Sequence, residues 1–574
     1  MDSADTPVRQ RKKVTADKAR LARGDFDQTE QTAKNVIQQE EDDQVQDDGH
    51  DGVDCKCAII ILFLVFAVVF LGSVTLGSRF SLPISLFSTL NNRMTGQTEQ
   101  KLNPTKATFH DGEQKASDSF HQKDYDGHVR ENNDGFSADE ILMHSEDQFE
   151  RNGEMKEKPS KPVLDKQTIL WWTDALFPHS HRGHISNITC GEHTCLTTSD
   201  KRVLSDPLTR GILFYGTDFR AYEAPLPRKP WHEWALLHEE SPMNNYALVH
   251  GMRLFNHTAT FKRGSDYPIT THSLTNLDYL TEREPVPIEE KNRLRKKNFA
   301  PILYVQSHCD VAGDRDRFVK ELMKHIRVDS YGQCLNNKKI PEDLSNPIDS
   351  MESEQFYDFI SKYKFHLAFE NAICDDYITE KFFRPLHVGS VPIYRGSPSA
   401  QDWAPSKRSF IDVNQFESPR QLAYFIKLLD ENDDIYLEYL LFKETGITNK
   451  ALVDHMNNRD YAINQWNLHS FISGFECHVC KKISERYKAE LDPSHPAPEK
   501  KIGDSSHMGC PPPAPSVGNI EDIPATEGIH NWIQDYWGMR DQVVALEEMI
   551  KDGAKDSSKL FEVMEDIYNE NHRP

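Results

Sequence analysis

The stretch from Lys364 to Ser397, KFHLAFENAICDDYITEKFFRPLHVGSVPIYRGS, gathers residue types suited to a charged ligand: the carboxylate of Glu380, the ammonium of Lys381, the amide of Asn371 and the phenol of Tyr377. Phe365 to Phe369 alternates apolar residues with a short period and stops at Glu370-Asn371, which predicts a half-buried strand running into a polar loop. Asp375-Asp376 can cap a helix starting near Tyr377, so that Glu380 and Lys381 fall in or beside its first turn. A second strand, Val391 to Tyr394, follows Gly389. In such strand-helix-strand units ligands bind beyond the carboxyl ends of the strands. A helix start there offers free N–H groups and a positive dipole end, and with Lys381 beside it the composition is that of a phosphate site.

These residues also carry a resemblance. FENAICDDYITEK followed by GSVPIYRGSP resembles the donor-site signature of the α-1,3/4-fucosyltransferases, F-E-N, a few residues, then Y-[IV]-T-E-K. The resemblance implies an α/β chain of the GT-B class, with two Rossmann-like domains facing a cleft and GDP-fucose held by the second. It assigns donor contacts to Asn371, Tyr377, Glu380 and Lys381. Upstream, WALL at Trp234 to Leu237 ends in His238-Glu239-Glu240-Ser241-Pro242, which puts Glu240 just past a strand end. In the family a Glu-Ser-Pro segment at this point carries the proposed catalytic base, and FNHT followed by Lys262-Arg263 is similar to the family as well. Arg315 stands where a family arginine contacts the donor diphosphate, whereas Ser307-His308 departs from the usual Ser-Asn.

Asp314-Arg315-Asp316 has the D-x-D spacing by which GT-A glycosyltransferases hold Mn²⁺. No other feature supports a metal site, and GT-B enzymes meet the leaving diphosphate with side chains and helix dipoles. The expectation is no metal and no cofactor beyond GDP-fucose as donor substrate.

The elements that must position these groups begin near Pro162. TILWW (Thr168 to Trp172), GILFY (Gly211 to Tyr215) and WALL suit strands buried on both faces of a parallel sheet, and a further strand is expected at PILYVQ, Pro301 to Gln306. Helical spacing follows from Asp314 to Ile326, from Pro419 to Leu429 and from Asp434 to Lys443. This divides the globular part into an acceptor-side domain at 163–285, a linker at 286–296 within the charged stretch Thr281 to Asn298 that carries Pro285 and Pro287, a GDP-fucose-binding domain at 297–445 and a cysteine-containing tail at 446–574. The tail includes Trp532, Tyr536, Trp537 and a helical run from Asp541 to Ile550, an accessory helix or partner surface.

Before this, residues 1–57 are polar and read as a disordered cytoplasmic tail. AIIILFLVFAVVFLGSVTLG at 58–77 carries no charge and, at about 1.5 Å per residue, spans a bilayer core of about 30 Å, so it reads as a transmembrane signal anchor. Residues 78–162 read as a stem. Net charge of −23 gives no basic footprint, which argues against a nucleic-acid partner. Eight of the ten cysteines and the sequons at Asn187 and Asn256 lie beyond the apolar run, which suggests an oxidising lumen.

Cys477 and Cys480 form a C-x-x-C that suits disulfide pairing, a redox pair, or half a zinc site with His507; Cys510 is a further candidate for pairing. The FECHVCK segment with the later Gly-Cys-Pro resembles the vertebrate branch of the family numbered ten and eleven. Taken together, the resemblance implies an inverting fucosyltransferase, with Glu240 as base and α-1,3 transfer to GlcNAc of N-glycans or lactosamine as the first reading. Transfer to Ser or Thr of folded protein domains and a non-catalytic lectin-like or chaperone role are the alternatives. The partners are GDP-fucose, a glycan or glycoprotein acceptor and, through one helix, a membrane. The expected setting is the Golgi membrane in type II orientation, with the endoplasmic reticulum as alternative.

Overall fold

The computed structural model describes residues 163–179, 183–346, 350–461 and 470–571. All of them belong to one compact unit, Glu157–Pro574. The expected cytoplasmic tail, signal anchor and stem all lie outside the described residues. Among the described residues no helix is long and apolar enough to cross a membrane.

Two sheets build the unit. The first has the order β2-β3-β1-β4-β5-β6, from β1 (Thr168–Thr173), β2 (Ser186–Cys190), β3 (His193–Thr198), β4 (Thr209–Tyr215), β5 (Glu233–His238) and β6 (His257–Thr260). All its pairs are parallel except the edge pair β2/β3. The second is parallel throughout, in the order β11-β10-β9-β7-β8, from β7 (Ile302–Gln306), β8 (Val328–Gly332), β9 (Phe365–Phe369), β10 (Val391–Arg395) and β11 (Ile411–Asp412). Both parallel runs reverse direction after their second strand, and a doubly wound sheet opens a ligand crevice at the carboxyl end of that switch. In the second sheet the switch lies between β7 and β9, which pair only through Ile302↔Phe365 and Leu303↔His366, so their far ends can part. This architecture is consistent with the GT-B class.

The strand runs read from the sequence are buried on both faces, and β9, expected to be half-buried, is buried at all five residues. Among the helices that accompany the second sheet are α1 (Ile288–Lys296), α2 (Arg315–Leu322) and α3 (Glu380–His387). α1 occupies the stretch read as linker. Its charges sit on a helix docked by buried Lys291, whose Nζ donates to Tyr363 O at 2.9 Å and Gly389 O at 2.8 Å.

The stretch read as a tail turns back to cover both faces of the first sheet. α4 (Phe471–Leu491) lays Phe475, Val479 and Ile483 against Ile169, Leu213 and Ala235, each fully buried side chain contributing about 1.5–3 kcal/mol. On the opposite face α5 (Gly528–Lys551) adds Val543, Leu546 and Met549 to the core of Phe214, Trp234 and Leu236, and α6 (Leu560–Asn571) follows it. Disulfides Cys190–Cys477 and Cys195–Cys480 pin α4 to β2 and β3, Cys309–Cys334 ties the ends of β7 and β8, and Cys374–Cys510 anchors the segment before α5. The C-x-x-C is therefore neither a redox pair nor half a zinc site: its two thiols reach different strands, and His507 is engaged through Nδ1 with Thr258 Oγ1 at 2.8 Å.

Candidate active site

The residues that the resemblance assigns to the donor meet at the switch point of the second sheet. Arg315 opens α2, is 1% exposed, and donates from Nη1 to Phe369 O at 3.2 Å and from Nη2 to His308 O at 2.5 Å, so it bridges the ends of β7 and β9. Its Nε is buried without a partner. Glu370 follows β9, fully buried. Its carboxylate accepts from Thr379 N and from Thr379 Oγ1, both at 2.8 Å. Two glycines make this approach possible. A Cβ on Gly313 would come within 3.0 Å of Glu370 O, and one on Gly396 within 2.6 Å of Glu370 Cγ.

Thr379, not the Asp375-Asp376 pair, caps the helix: α3 begins at Glu380, and Thr379 Oγ1 accepts from Lys381 N. Asp376 is instead committed across the unit. It adopts a left-handed φ of 65°, and its carboxylate accepts from Arg263 Nε at 2.9 Å and Nη2 at 2.6 Å, while Lys262 Nζ donates to Asp375 at 3.1 Å. The Lys262-Arg263 pair thus fastens the first sheet's side to the loop before α3.

The first turn of α3 holds a tight charge network. Lys381 Nζ donates to Thr379 Oγ1 at 3.2 Å and Glu380 Oε1 at 3.1 Å and lies 3.8 Å from Glu370 Oε2. Burial opposes the Lys381 charge, yet Glu380 and then Glu370 hold its pKa above the ordinary value. Burial would likewise raise Glu380, but Lys381 and Arg384 hold its carboxyl down at about 2. Glu370 goes the other way: burial pushes it up to about 7 against the pull of Lys381. His272, half-buried nearby with Nδ1 unpartnered, is pushed by burial down to about 4 while feeling both Glu380 and Lys381.

The first sheet contributes the end of β5. Glu240 is half-buried and its Oε2 accepts from Tyr377 Oη at 3.2 Å, which brings the two motifs together across a separation of 137 residues. Tyr377 is 1% exposed and packs edge-on against Phe261, with ring centroids 5.1 Å apart. Glu239 accepts from Tyr215 Oη at 3.1 Å through Oε1 while its Oε2 is buried and unpartnered; burial first, then Glu240, raises it to about 7. Asn371 keeps its side-chain Oδ1 buried and free, and its backbone oxygen accepts from Gly313 N at 2.6 Å.

Residues 164–271 match "Fucosyltransferase, N-terminal" and residues 294–493 match "Glycosyltransferase family 10 (fucosyltransferase) C-term". GDP-fucose protein O-fucosyltransferase 3 of Xenopus laevis is 44% identical over 374 residues, 62% of this chain and 78% of that protein. The chain belongs to glycosyltransferase family 10. Its Homo sapiens relative, also named GDP-fucose protein O-fucosyltransferase 3, is 40% identical over 442 residues, 76% of this chain and 89% of that protein. These relatives carry that name and not the one of the branch numbered ten and eleven. A crystal structure of an alpha1,3-fucosyltransferase with GDP-fucose is 17% identical with a TM-score of 0.32, covering 57% of this chain and 93% of that one. A likeness that low positions no residue here.

Other candidate residues of this family 10 chain fare differently. The D-x-D carboxylates turn apart: Asp314 Oδ2 accepts from Arg317 Nε and Ser516, whereas Asp316 Oδ1 accepts from Tyr304 Oη. Among the described residues Cys309, Asp316 and Cys334 have ligand-type atoms close together, but the two cysteines form a disulfide. Of the sequons, Asn187 is exposed on edge strand β2, whereas Asn256 is 3% exposed and its Nδ2, the atom a glycan would use, donates to Lys501 O at 3.1 Å. A glycan at Asn256 has no room in this fold. Glu370, Thr379, Asp376 and His272 belong to the site without having stood out from sequence; Glu370 sits inside the F-E-N motif, which was the available signal.

Proposed function

We propose that the chain moves L-fucose from GDP-fucose to a Ser or Thr hydroxyl of a protein. The observation that carries this reading is the resemblance to relatives named GDP-fucose protein O-fucosyltransferase 3, at 40–44% identity over most of their length. Those names favour a protein acceptor over the GlcNAc of N-glycans or lactosamine, the first reading from sequence. Glu240 takes the proton from the acceptor hydroxyl as it attacks the anomeric carbon from the face opposite the leaving GDP. Tyr377 Oη, bonded to Glu240 Oε2, orients that base from the donor side. Negative charge growing on the diphosphate meets Arg315, Lys381 and the N-terminus of α3, a set of fixed donors and charges that calls on no metal. Asn371, with its free Oδ1, and Glu380, held ionised, are suited to hydroxyl donors of the nucleotide or sugar. A lectin-like or chaperone role would leave the meeting of Glu240 with this cation cluster without a use. The disulfides suit an oxidising secretory lumen, and a Golgi or endoplasmic reticulum membrane setting follows as part of the same proposal.

The test offers the full-length protein labelled GDP-fucose together with secreted proteins and N-glycan acceptors in parallel. Fucose released by alkaline β-elimination and resistant to N-glycan-releasing glycosidase is expected. Label found on N-glycans alone overturns the protein acceptor.

A further inference from the structure

A cavity of about 230 Å³ is lined chiefly by the turn at Pro242 and Tyr246, the loop at Ala372–Cys374 and the run Pro511–Pro515, with Ala312 and Arg395 completing it. Pro242 is two residues past Glu240, and Ala372 adjoins Asn371. The cavity thus opens off the same two strand ends as the chemistry. It exceeds the ~150 Å³ that holds a benzene ring and falls short of the ~300–1,000 Å³ of ordinary small-molecule sites. One aliphatic or aromatic side chain fits that range, and a disaccharide does not.

The polar groups on its walls point the same way. Tyr246, 4% exposed, has a buried hydroxyl with no partner. Arg395, bonded to Gly313 O, is the one charged residue lining the space. Arg395 can only donate, the Tyr246 hydroxyl is free to donate or accept, and no carboxylate or side-chain amide lines the space to hold the several O–H groups of a sugar. An occupant that is apolar and presents a hydrogen-bond acceptor satisfies this wall, as a residue of a polypeptide does with its side chain and backbone carbonyl. The third wall lies past residue 493, outside both family matches. It is held by the Cys374–Cys510 disulfide and by Ser516, whose N and Oγ donate to Asp314 Oδ2 at 2.8 and 2.9 Å.

We infer that this cavity is an acceptor subsite, taking an apolar side chain of the protein substrate next to the Ser or Thr that receives fucose, with its outer wall supplied by the Pro511–Pro515 segment. The inference rests on the protein-acceptor reading above. It makes the C-terminal segment a specificity element of the transfer.

The test uses the full-length protein with the secreted proteins of cells lacking it as acceptor, and mass spectrometry of the fucosylated sites. The acceptor so identified is then titrated against wild type, Ala514→Trp, which fills the cavity from an exposed position, and Tyr246→Phe, which removes only the unpartnered hydroxyl. Acceptor KM is expected to rise at least tenfold for the first and about threefold for the second, with GDP affinity by calorimetry unchanged, and the modified sites are expected to have Leu, Ile, Val, Met or Phe within a few ångströms on the acceptor surface. Wild-type KM in both variants, sites without an apolar neighbour, or a parallel loss of GDP affinity overturns the subsite. Fucose found on N-glycans alone, with none on Ser or Thr, overturns the function proposed above and this inference with it, whereas protein fucosylation at unchanged KM overturns the subsite alone.

Discussion

Two strand ends face each other across this site, and they are finished differently. After β9, the carboxylate of Glu370 has both oxygens bonded to Thr379, and Lys381 has three oxygen neighbours within 4 Å. After β5, His238 Nδ1, Glu239 Oε2 and Ser241 Oγ are all buried without a partner. Buried polar atoms are nearly always paired, and each one left alone costs about 1–3 kcal/mol. The β9 end also leaves Arg315 Nε and Asn371 Oδ1 without partners, but its carboxylate and ammonium are paired before any ligand arrives, while at the β5 end a carboxylate oxygen of Glu239 is itself unsatisfied. Under the function proposed above, the difference makes charge placement and acceptor recognition separate tasks, given to separate sheets.

The strongest way to break this division is at Glu240. Glu240→Gln keeps the bond to Tyr377 but cannot take a proton, so turnover should fall by about 10² to 10⁴ with GDP affinity unchanged by calorimetry; turnover like wild type removes it as the base. On the other side, Lys381→Ala should cost turnover about 10² to 10³ and weaken GDP as well, because it removes a charge of the donor site. A folded variant with normal rate would take the lysine out of the mechanism.

Thr379→Val tests whether the donor side is preassembled. It strips a donor from buried Glu370 and the cap from α3, and should lower stability by about 1–3 kcal/mol, read as a fall in Tm. The sign with pH follows from Glu370: a carboxyl raised to about 7 in the folded state favours folding below its ordinary pKa and loses that contribution as pH rises through 7. The deficit of the variant should thus be larger at pH 8 than at pH 5.5, and an equal deficit at both would contradict the role given to Thr379.

A smaller effect is expected from Glu239→Gln. Ionisation of Glu239 near pH 7 places a negative charge beside Glu240 and makes it a better base, so wild-type turnover should climb by a few fold between pH 6 and 8. The variant's profile should be flatter over that window; superimposable profiles would mean that the two glutamates do not communicate. Least of all should chelation matter: activity is expected to persist in EDTA. Loss restored by Mn²⁺ would return Asp314 and Asp316 to the mechanism.

Much of this was legible in the chain because the central strands are apolar runs buried on both faces, and because the donor motif is long. What was not legible had tertiary causes. Asp375 and Asp376 are good capping residues by type, yet Lys262 and Arg263, 113 residues away, claim them both, and Thr379 takes the cap. Helix α1 hides in a charged run because Lys291 buries its stem and satisfies its ammonium on backbone oxygens. Strands β2, β3 and β6 (SNITC, HTCLTT, HTAT) are too polar to show an apolar period. The sequon at Asn256 looks like any other until the partners of its amide are seen.

The pairing of Cys190 with Cys477 and of Cys195 with Cys480 joins positions 287 and 285 residues apart. During synthesis at ~5–20 residues per second, the first thiol of each pair waits roughly 15–60 s for its partner to be made, while Cys309, Cys334 and Cys374 emerge in between. β2 and β3 must meanwhile stand without α4, the layer that completes their side of the core. Correct assembly of this protein is thus a problem of timing as much as of affinity: whatever shields the two early thiols during that interval decides how many molecules reach the paired state.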